Sequence, residues 1–494
     1  CKGGPVTEEH KPTDPASQKL TPQDVTSVTK HTIRINGKAL KYTVTCGTVV
    51  LREEHDKDGE ALDARARASM FFIAYTLDGV RDPARRPITY SFNGGPGSSS
   101  VWLHLGLLGP KRVQLDREGY AGAPPYALVD NEHSIFDKTD LVFIDPIGTG
   151  YSRMVAGEKV KEFHDYQRDL ESVGEFIRLY TSRNQRWASP KYIAGESYGT
   201  TRACGLAGLL QEKHAMYMNG LMLISCALDF QTLRFDHGND LPPVLFLPTY
   251  AATAWYHKAL APTEQKRKLA DLLREVEAFA AGEYSAALFA GASLGAPQRA
   301  AVVDKLARYT GLSREYVEAT NLRINIHRFC KELLRKQGVT VGRLDSRFQN
   351  QDRDSAGEMF EFDPAHANLL GAYGSTLNDY VRRDLAFESD LPYHTLAGLY
   401  QSWGWKDFAN RYANVAETLR KAMRMNAHLK VFVASGYYDL ATPHFATDYT
   451  FNHLNVDATR MKDVTMRNYE AGHMMYIHEP SLAAMAKDLR QFVG

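Results

Sequence analysis

Gly195-Glu196-Ser197-Tyr198-Gly199 sets one serine hydroxyl between two glycines. The run before it, Lys191 to Ala194, reads as the end of a buried strand, and Thr200 to Gln211 reads as a helix. Strand, G-x-S-x-G, helix is an arrangement that presents a serine Oγ on a sharp turn, clear of the sheet edge. Gly195 and Gly199 lack Cβ atoms, so strand and helix can close on one another. The N–H of Tyr198 falls at the helix start, where developing negative charge is stabilised. Alone the motif is weak, since composition produces it by chance in about one chain of this length in six. A structural serine in a Gly-rich turn is the bland alternative.

A serine hydroxyl is a poor nucleophile at its own pKa; it needs a base, and the base needs an orienting group. Asp439 follows the apolar strand Lys430 to Ser435 and is placed to hold a histidine; its structural alternative is a cap on the turn before Thr442-Pro443. His473 follows Val464 to Tyr469, the last strand, on a loop from which an imidazole can reach back toward Ser197. There are 17 histidines, and His444, His453 and His478 rival it by position. His473 is favoured because Gly472 permits a tight bend before it. The Gly-rich run from Asn93 to Gly97 follows a strand and leaves backbone N–H groups unshielded, so Gly95 can donate beside Tyr198 in an oxyanion hole. A phosphate cradle is disfavoured, because no G-K-[ST] follows.

Elements that position these residues are legible around them. Thr32 to Gly37 and Leu40 to Val50 predict two strands joined at Asn36-Gly37. Met70 to Thr76, Pro87 to Phe92, Leu141 to Ile144 and Gly220 to Leu228 predict further strands. Val101 to Leu108 reads as a short helix, and Phe163 to Arg183 carries apolar residues at helical spacing. Strands alternating with helices argue for a parallel or mixed sheet covered on both faces. From about 235 to 427 the character changes. Thr263 to Ala281, Pro297 to Tyr309, Ser313 to Ala319 and Ile324 to Lys336 read as helices, with Ser313 a good N-cap. A last helix covers Pro480 to Phe492.

The predicted organisation is therefore a flexible tether over 1–28, a core over 29–234 and 428–494, and a mainly helical insertion over 235–427. With 494 residues and 44% hydrophobic composition the chain can bury a large core. Its 59 basic and 58 acidic residues give no electrostatic case for nucleic acid. No apolar run approaches the about 20 residues of a membrane span. Five scattered cysteines without C-x-x-C spacing argue against a zinc site. Cys204 and Cys226 read as buried free thiols. Cys1 is compatible with a lipid-bearing N-terminal cysteine of an exported protein; that anchor is the one expected membrane contact.

Five motifs in order resemble the serine carboxypeptidase family, an α/β-hydrolase group with a helical insertion. They are Asn93 to Ser99; Asp145-Pro146 with Gly148 to Ser152; Gly195 to Gly199; Gly436 with Asp439; and Gly472 to Met474. The resemblance implies an α/β-hydrolase fold with a mixed, mostly parallel sheet and a helical cap. It implies Ser197 as nucleophile, His473 as base and acid, Asp439 as orienter, and the N–H groups of Gly95 and Tyr198 as oxyanion hole. It implies no metal and no cofactor, and a peptide with a free C-terminus as substrate. Asn93 and Glu196 match an asparagine and a glutamate that bind the substrate carboxylate in the family. A glutamate can do so only when protonated.

The chain departs from the family pattern at three places. Leu107 stands where a second glutamate falls, Ser91 and Phe92 precede the Asn-Gly-Gly run in place of the usual tryptophan, and Ser98 replaces a cysteine. With one acidic partner missing, Glu196 is expected to be less protonated at neutral pH and the optimum to lie nearer neutrality. The carboxypeptidase reading has two rivals: an esterase or acyltransferase with the same triad, and a non-catalytic binding protein on the same scaffold.

Overall fold

The computed structural model describes residues 22–57 and 60–494. Cys1 and most of the expected tether lie outside these residues. The first strand, Val25–Ile35, begins inside the stretch read as tether and pairs antiparallel with Lys38–Lys57. The turn between them has positive φ at both Asn36 (50°) and Gly37 (76°). That handedness matches the twist of the flanking strands, as the Asn-Gly pair predicts.

Ten strands form one sheet. Its order is Val25–Ile35, Lys38–Lys57, Glu60–Leu77, Asp140–Ile144, Ile88–Phe92, Lys191–Glu196, Gly220–Ile224, Lys430–Gly436, Val464–Tyr469, with Arg153–Met154 paired to Glu60–Leu77. The first three form an antiparallel meander, and Glu60–Leu77 meets Asp140–Ile144 antiparallel. Every neighbouring pair from there to Val464–Tyr469 is parallel. The central strands Ile88–Phe92, Lys191–Glu196 and Gly220–Ile224 are buried at every position, as expected for strands covered on both faces.

One face packs on the helices Tyr166–Arg183 and Tyr198–His214, joined by Ala416–Met425. The other packs on Pro364–Arg383 and the terminal helix Glu479–Val493. A third core belongs to the insertion, built from Leu241–Tyr256, Leu269–Phe279 and Ala296–Thr310. Two residues of the sheet region, Tyr438 and Leu440, are buried in that third core. Residues 235–427 are thus not one layer, because Pro364–Arg383 and Ala416–Met425 return to cover the sheet. Ser313 does cap its helix, accepting from the Tyr316 N–H at 3.1 Å.

The nucleophile helix is fixed by a buried ion pair. Arg202 Nε donates to Asp169 Oδ2 at 2.8 Å, Nη1 donates to the Asn93 carbonyl at 2.6 Å, and the guanidinium lies over the rings of Phe92 and Tyr198. Arg202 is 1% exposed and Asp169 is 3% exposed. Removing one partner leaves an uncompensated buried charge. Arg202→Met is therefore expected to lose about 3–5 kcal/mol of stability, read from chemical denaturation; a loss under about 1 kcal/mol, the scale of an exposed pair, would contradict it.

Candidate active site

Ser197 sits between Lys191–Glu196 and Tyr198–His214 with φ 60° and ψ −129°. A non-glycine residue in that region is strained, and such strain persists only where the surroundings enforce it. Here they do. A Cβ on Gly195 would lie 2.2 Å from the Gly199 carbonyl oxygen, so strand and helix backbones touch across the turn. Ser197 N–H donates to the Ile224 carbonyl at 3.0 Å. Its half-buried hydroxyl makes no hydrogen bond to any described residue, His473 included. Catalytic serine–histidine bonds are commonly long without substrate and tighten when it binds.

Asp439 and His473 are brought together. His473 Nδ1 lies 2.8 Å from Asp439 Oδ2, and both residues are buried. Asp439 Oδ1 accepts from the N–H groups of Ala441 (2.8 Å) and Thr442 (2.9 Å). The expected cap on this turn and the histidine partner are therefore one and the same carboxylate. Burial, the largest influence, lowers the His473 pKa; the Asp439 charge, its hydrogen bond to Nδ1 and the Glu196 charge together outweigh it and raise the value above that of a free histidine. The rival histidines are engaged elsewhere: His444 Nε2 with Glu277 Oε1, His453 with the Tyr449 carbonyl and His478 with Ser481.

The backbone of His473 is held from two sides. Its N–H donates to the Leu344 carbonyl at 2.6 Å, and its carbonyl accepts from Ser225 Oγ at 2.6 Å. Leu344 belongs to a segment of the insertion wedged between the two loops. Leu440 N–H donates to the Arg343 carbonyl, Ser346 N–H to the Tyr438 carbonyl, and Gly472 N–H to Asp345 Oδ2. Asp345 is itself paired with buried Arg347. The glycine before the histidine is needed for a reason other than a tight bend. Its φ is not positive, but a Cβ there would lie 2.4 Å from Asp345 Cβ.

The Gly-rich run lies against the same turn. A Cβ on Gly94 would be 2.5 Å from Tyr198 N. Neither the Gly95 nor the Tyr198 N–H donates to a described protein acceptor, which leaves both for a ligand oxygen. The Asp145 motif braces this run from behind: Asp145 Oδ1 accepts from Ser100 N–H and Oγ at 2.8 and 2.9 Å. A strap from the end of the insertion covers it, with Ala397 N–H donating to the Gly97 carbonyl at 2.8 Å.

Glu196 and Asn93 are both buried and joined. Asn93 Nδ2 donates to Glu196 Oε1 at 2.9 Å, and Asn93 Oδ1 accepts from Leu103 N–H. The second Glu196 oxygen accepts from Tyr476 Oη at 2.7 Å. Burial pushes the Glu196 pKa up to about 7, against the opposing effects of His473, Tyr476 and Asn93. Glu196 therefore stays protonated to near neutrality without a second glutamate. Leu107 is fully buried in the core behind. Tyr476, Thr442, Ser225 and Asp345 are the contacts that sequence reasoning missed. Tyr476 lies three residues past His473, but nothing distinguishes it among 26 tyrosines. Among the described residues no cluster has the makings of a metal site, and Cys46, Cys204, Cys226 and Cys330 are buried free thiols.

The family model described as serine carboxypeptidase matches residues 61–486. Serine carboxypeptidase-like 22 of Arabidopsis thaliana is 23% identical over 394 residues, 78% of this chain and 74% of that protein. Serine carboxypeptidase-like 34 of the same plant is 26% identical over 202 residues, 39% of this chain and 36% of that one. The pheromone-processing carboxypeptidase KEX1 of Saccharomyces cerevisiae is 32% identical over 159 residues, 31% of this chain but 20% of its own length. Two of these three matches thus span well under half of the relative. The crystal structure of yeast Kex1(delta)p, a prohormone-processing carboxypeptidase, superposes with a TM-score of 0.54 at 16% identity, covering 91% of each chain, which shows a shared fold. The chain belongs to the serine carboxypeptidase family.

Proposed function

We propose that the protein is a serine carboxypeptidase that releases residues from the C-terminus of peptides through an acyl-enzyme. The observation that carries this reading is the buried Asp439–His473 pair, 2.8 Å apart, at the sheet edge where Ser197 is held in a strained turn. Ser197 Oγ attacks the scissile carbonyl carbon and its proton passes to His473 Nε2. The carbonyl oxygen, now an oxyanion, is received by the N–H groups of Gly95 and Tyr198. Collapse breaks the C–N bond, and His473 returns the proton to the departing amine. Water, deprotonated by the same imidazole, then hydrolyses the ester. Asp439 stabilises the imidazolium and holds the tautomer with the proton on Nδ1.

Carboxylate recognition falls to Glu196. Protonated, it donates a hydrogen bond to the substrate's C-terminal carboxylate while Asn93 and Tyr476 fix its orientation; ionised, it repels that group. A free C-terminus distinguishes this substrate class from the blocked peptides and esters that an esterase accepts equally well.

Ser197→Ala is expected to lower turnover by about 10⁴-fold or more while leaving circular dichroism and thermal unfolding unchanged. Retained hydrolysis in that folded variant would remove Ser197 from the nucleophile role. KM for free peptides is expected to rise as pH passes through about 7, where Glu196 ionises. Glu196→Gln, neutral at every pH, should flatten that rise, and peptides amidated at the C-terminus should not show it. A wild-type KM that is level between pH 6 and 8 for free peptides would show that Glu196 is not the carboxylate's partner.

A further inference from the structure

Thr442 lies at the join between the acid and the base and has no role in the steps above. Its hydroxyl donates to Asp439 Oδ2 at 2.7 Å, the oxygen that also receives His473 Nδ1 at 2.8 Å. The same hydroxyl oxygen stands 3.3 Å from His473 Nδ1. All three groups are buried: Thr442 is 4% exposed, His473 5% and Asp439 0%. With the hydroxyl proton directed at the carboxylate, the imidazole faces two acceptors and no donor on its Nδ1 side. That arrangement fixes Nδ1 as the protonated nitrogen and leaves the Nε2 lone pair for the nucleophile.

We propose that Thr442 is a positioning residue of the triad, whose hydroxyl fixes the orientation of Asp439 Oδ2 and moderates how strongly that oxygen holds His473 in its protonated form. The proposal rests on the reading of Ser197, His473 and Asp439 as the catalytic triad. A carboxylate oxygen that already accepts a short O–H···O bond has part of its charge compensated. It therefore pulls less on the imidazolium. The 2.7 Å bond to Asp439 outweighs the 3.3 Å contact to Nδ1, because hydrogen bonds weaken steeply at the longer distance. Removing the hydroxyl should make the histidine more basic. The other charged groups acting on His473 are Glu196, which raises its proton affinity, and Arg343, which lowers it. Neither contacts Thr442, and neither changes when the hydroxyl is deleted.

Thr442→Val deletes the hydroxyl and keeps the branched shape. Its kcat/KM should be followed against pH with an ester lacking a free carboxylate, so that carboxylate recognition by Glu196 does not enter the profile. Rates are divided by the sites titrated with a fluorophosphonate, so that a loss of folded protein does not count as a loss of rate. The acid limb is expected to move up by roughly 0.5–1 pH unit, a three- to tenfold gain in proton affinity. Thr442→Ser keeps the hydroxyl and should leave the limb within about 0.2 unit of wild type. A limb in Thr442→Val that stays within that margin or moves down overturns the proposal, and so does a Thr442→Ser limb that moves as far as the valine variant's. Asp439→Asn, run in parallel, separates this from a failure of the parent reading. Undiminished kcat in Asp439→Asn removes the triad itself. Lost kcat there with an unmoved limb in Thr442→Val removes Thr442 alone.

Discussion

Two backbones meet without side chains between them where the Asn93–Gly97 loop touches the Ser197 turn, and the site depends on that approach. Cβ atoms on Gly94 or Gly199 would fall within 3.0 Å of backbone atoms across the gap, and one on Gly195 would strike the Gly199 carbonyl within the turn itself. Contact this close delivers two N–H groups, from Gly95 and Tyr198, to one small volume beside a hydroxyl. It also needs a clamp, because backbones pressed together gain little apolar burial of their own. Arg202 supplies it. One guanidinium reaches Asp169 on the neighbouring helix and the Asn93 carbonyl on the Gly-rich loop, and two aromatic rings cover it. The ion pair is costly to bury, but its geometry satisfies acceptors on both the neighbouring helix and the Gly-rich loop.

The other half of the site is held by a different principle. Asp439 and His473 come from loops after adjacent parallel strands, and loops alone position side chains poorly. The segment from Arg343 to Arg347 hydrogen-bonds to both loops, and Tyr438 and Leu440, on either side of the acid, are buried in the insertion's own core. The insertion thus braces both loops. Asp363 extends the brace: it accepts from the N–H groups of Arg343 and Leu344 with one oxygen and caps the helix Pro364–Arg383 with the other.

What could be read in advance follows from how each feature is encoded. Ser197 and Asp439 each follow a buried strand visible as a short apolar run, and His473 follows the half-exposed edge strand Val464–Tyr469, so their positions after successive strands are legible. The hairpin at Asn36-Gly37 was accessible because its dihedral angles demand those residues. The insertion was only partly accessible. Leu241–Tyr256 carries Pro242 and Pro243 in its first turn, where no N–H is needed, but Pro248 inside it argues locally against a helix; burial between other helices overrides it. The need for a glycine at position 472 is not legible locally, since the neighbour that excludes a Cβ, Asp345, lies more than a hundred residues away in sequence. Thr442, Ser225 and Tyr476 act through single hydrogen bonds, and a single hydrogen bond leaves no periodicity or spacing to detect.

The two acidic side chains of the site are both buried but meet different sets of donors. Asp439 is surrounded by donors: two backbone N–H groups on one oxygen, a hydroxyl and an imidazole on the other. That is the surrounding of a group acting only as an acceptor. Glu196 is equally buried but meets one amide and one phenol, and its carboxyl is pushed up to about 7. The division suits the chemistry required of each. On the proposed reading, the group behind the histidine acts as an acceptor, and the group facing a substrate carboxylate must stay neutral to donate to it. Glu196 also raises the proton affinity of His473 whenever it ionises. On the proposed reading, loss of its proton weakens carboxylate recognition and disfavours the free base in one event, which would tie binding and base catalysis to a single titration.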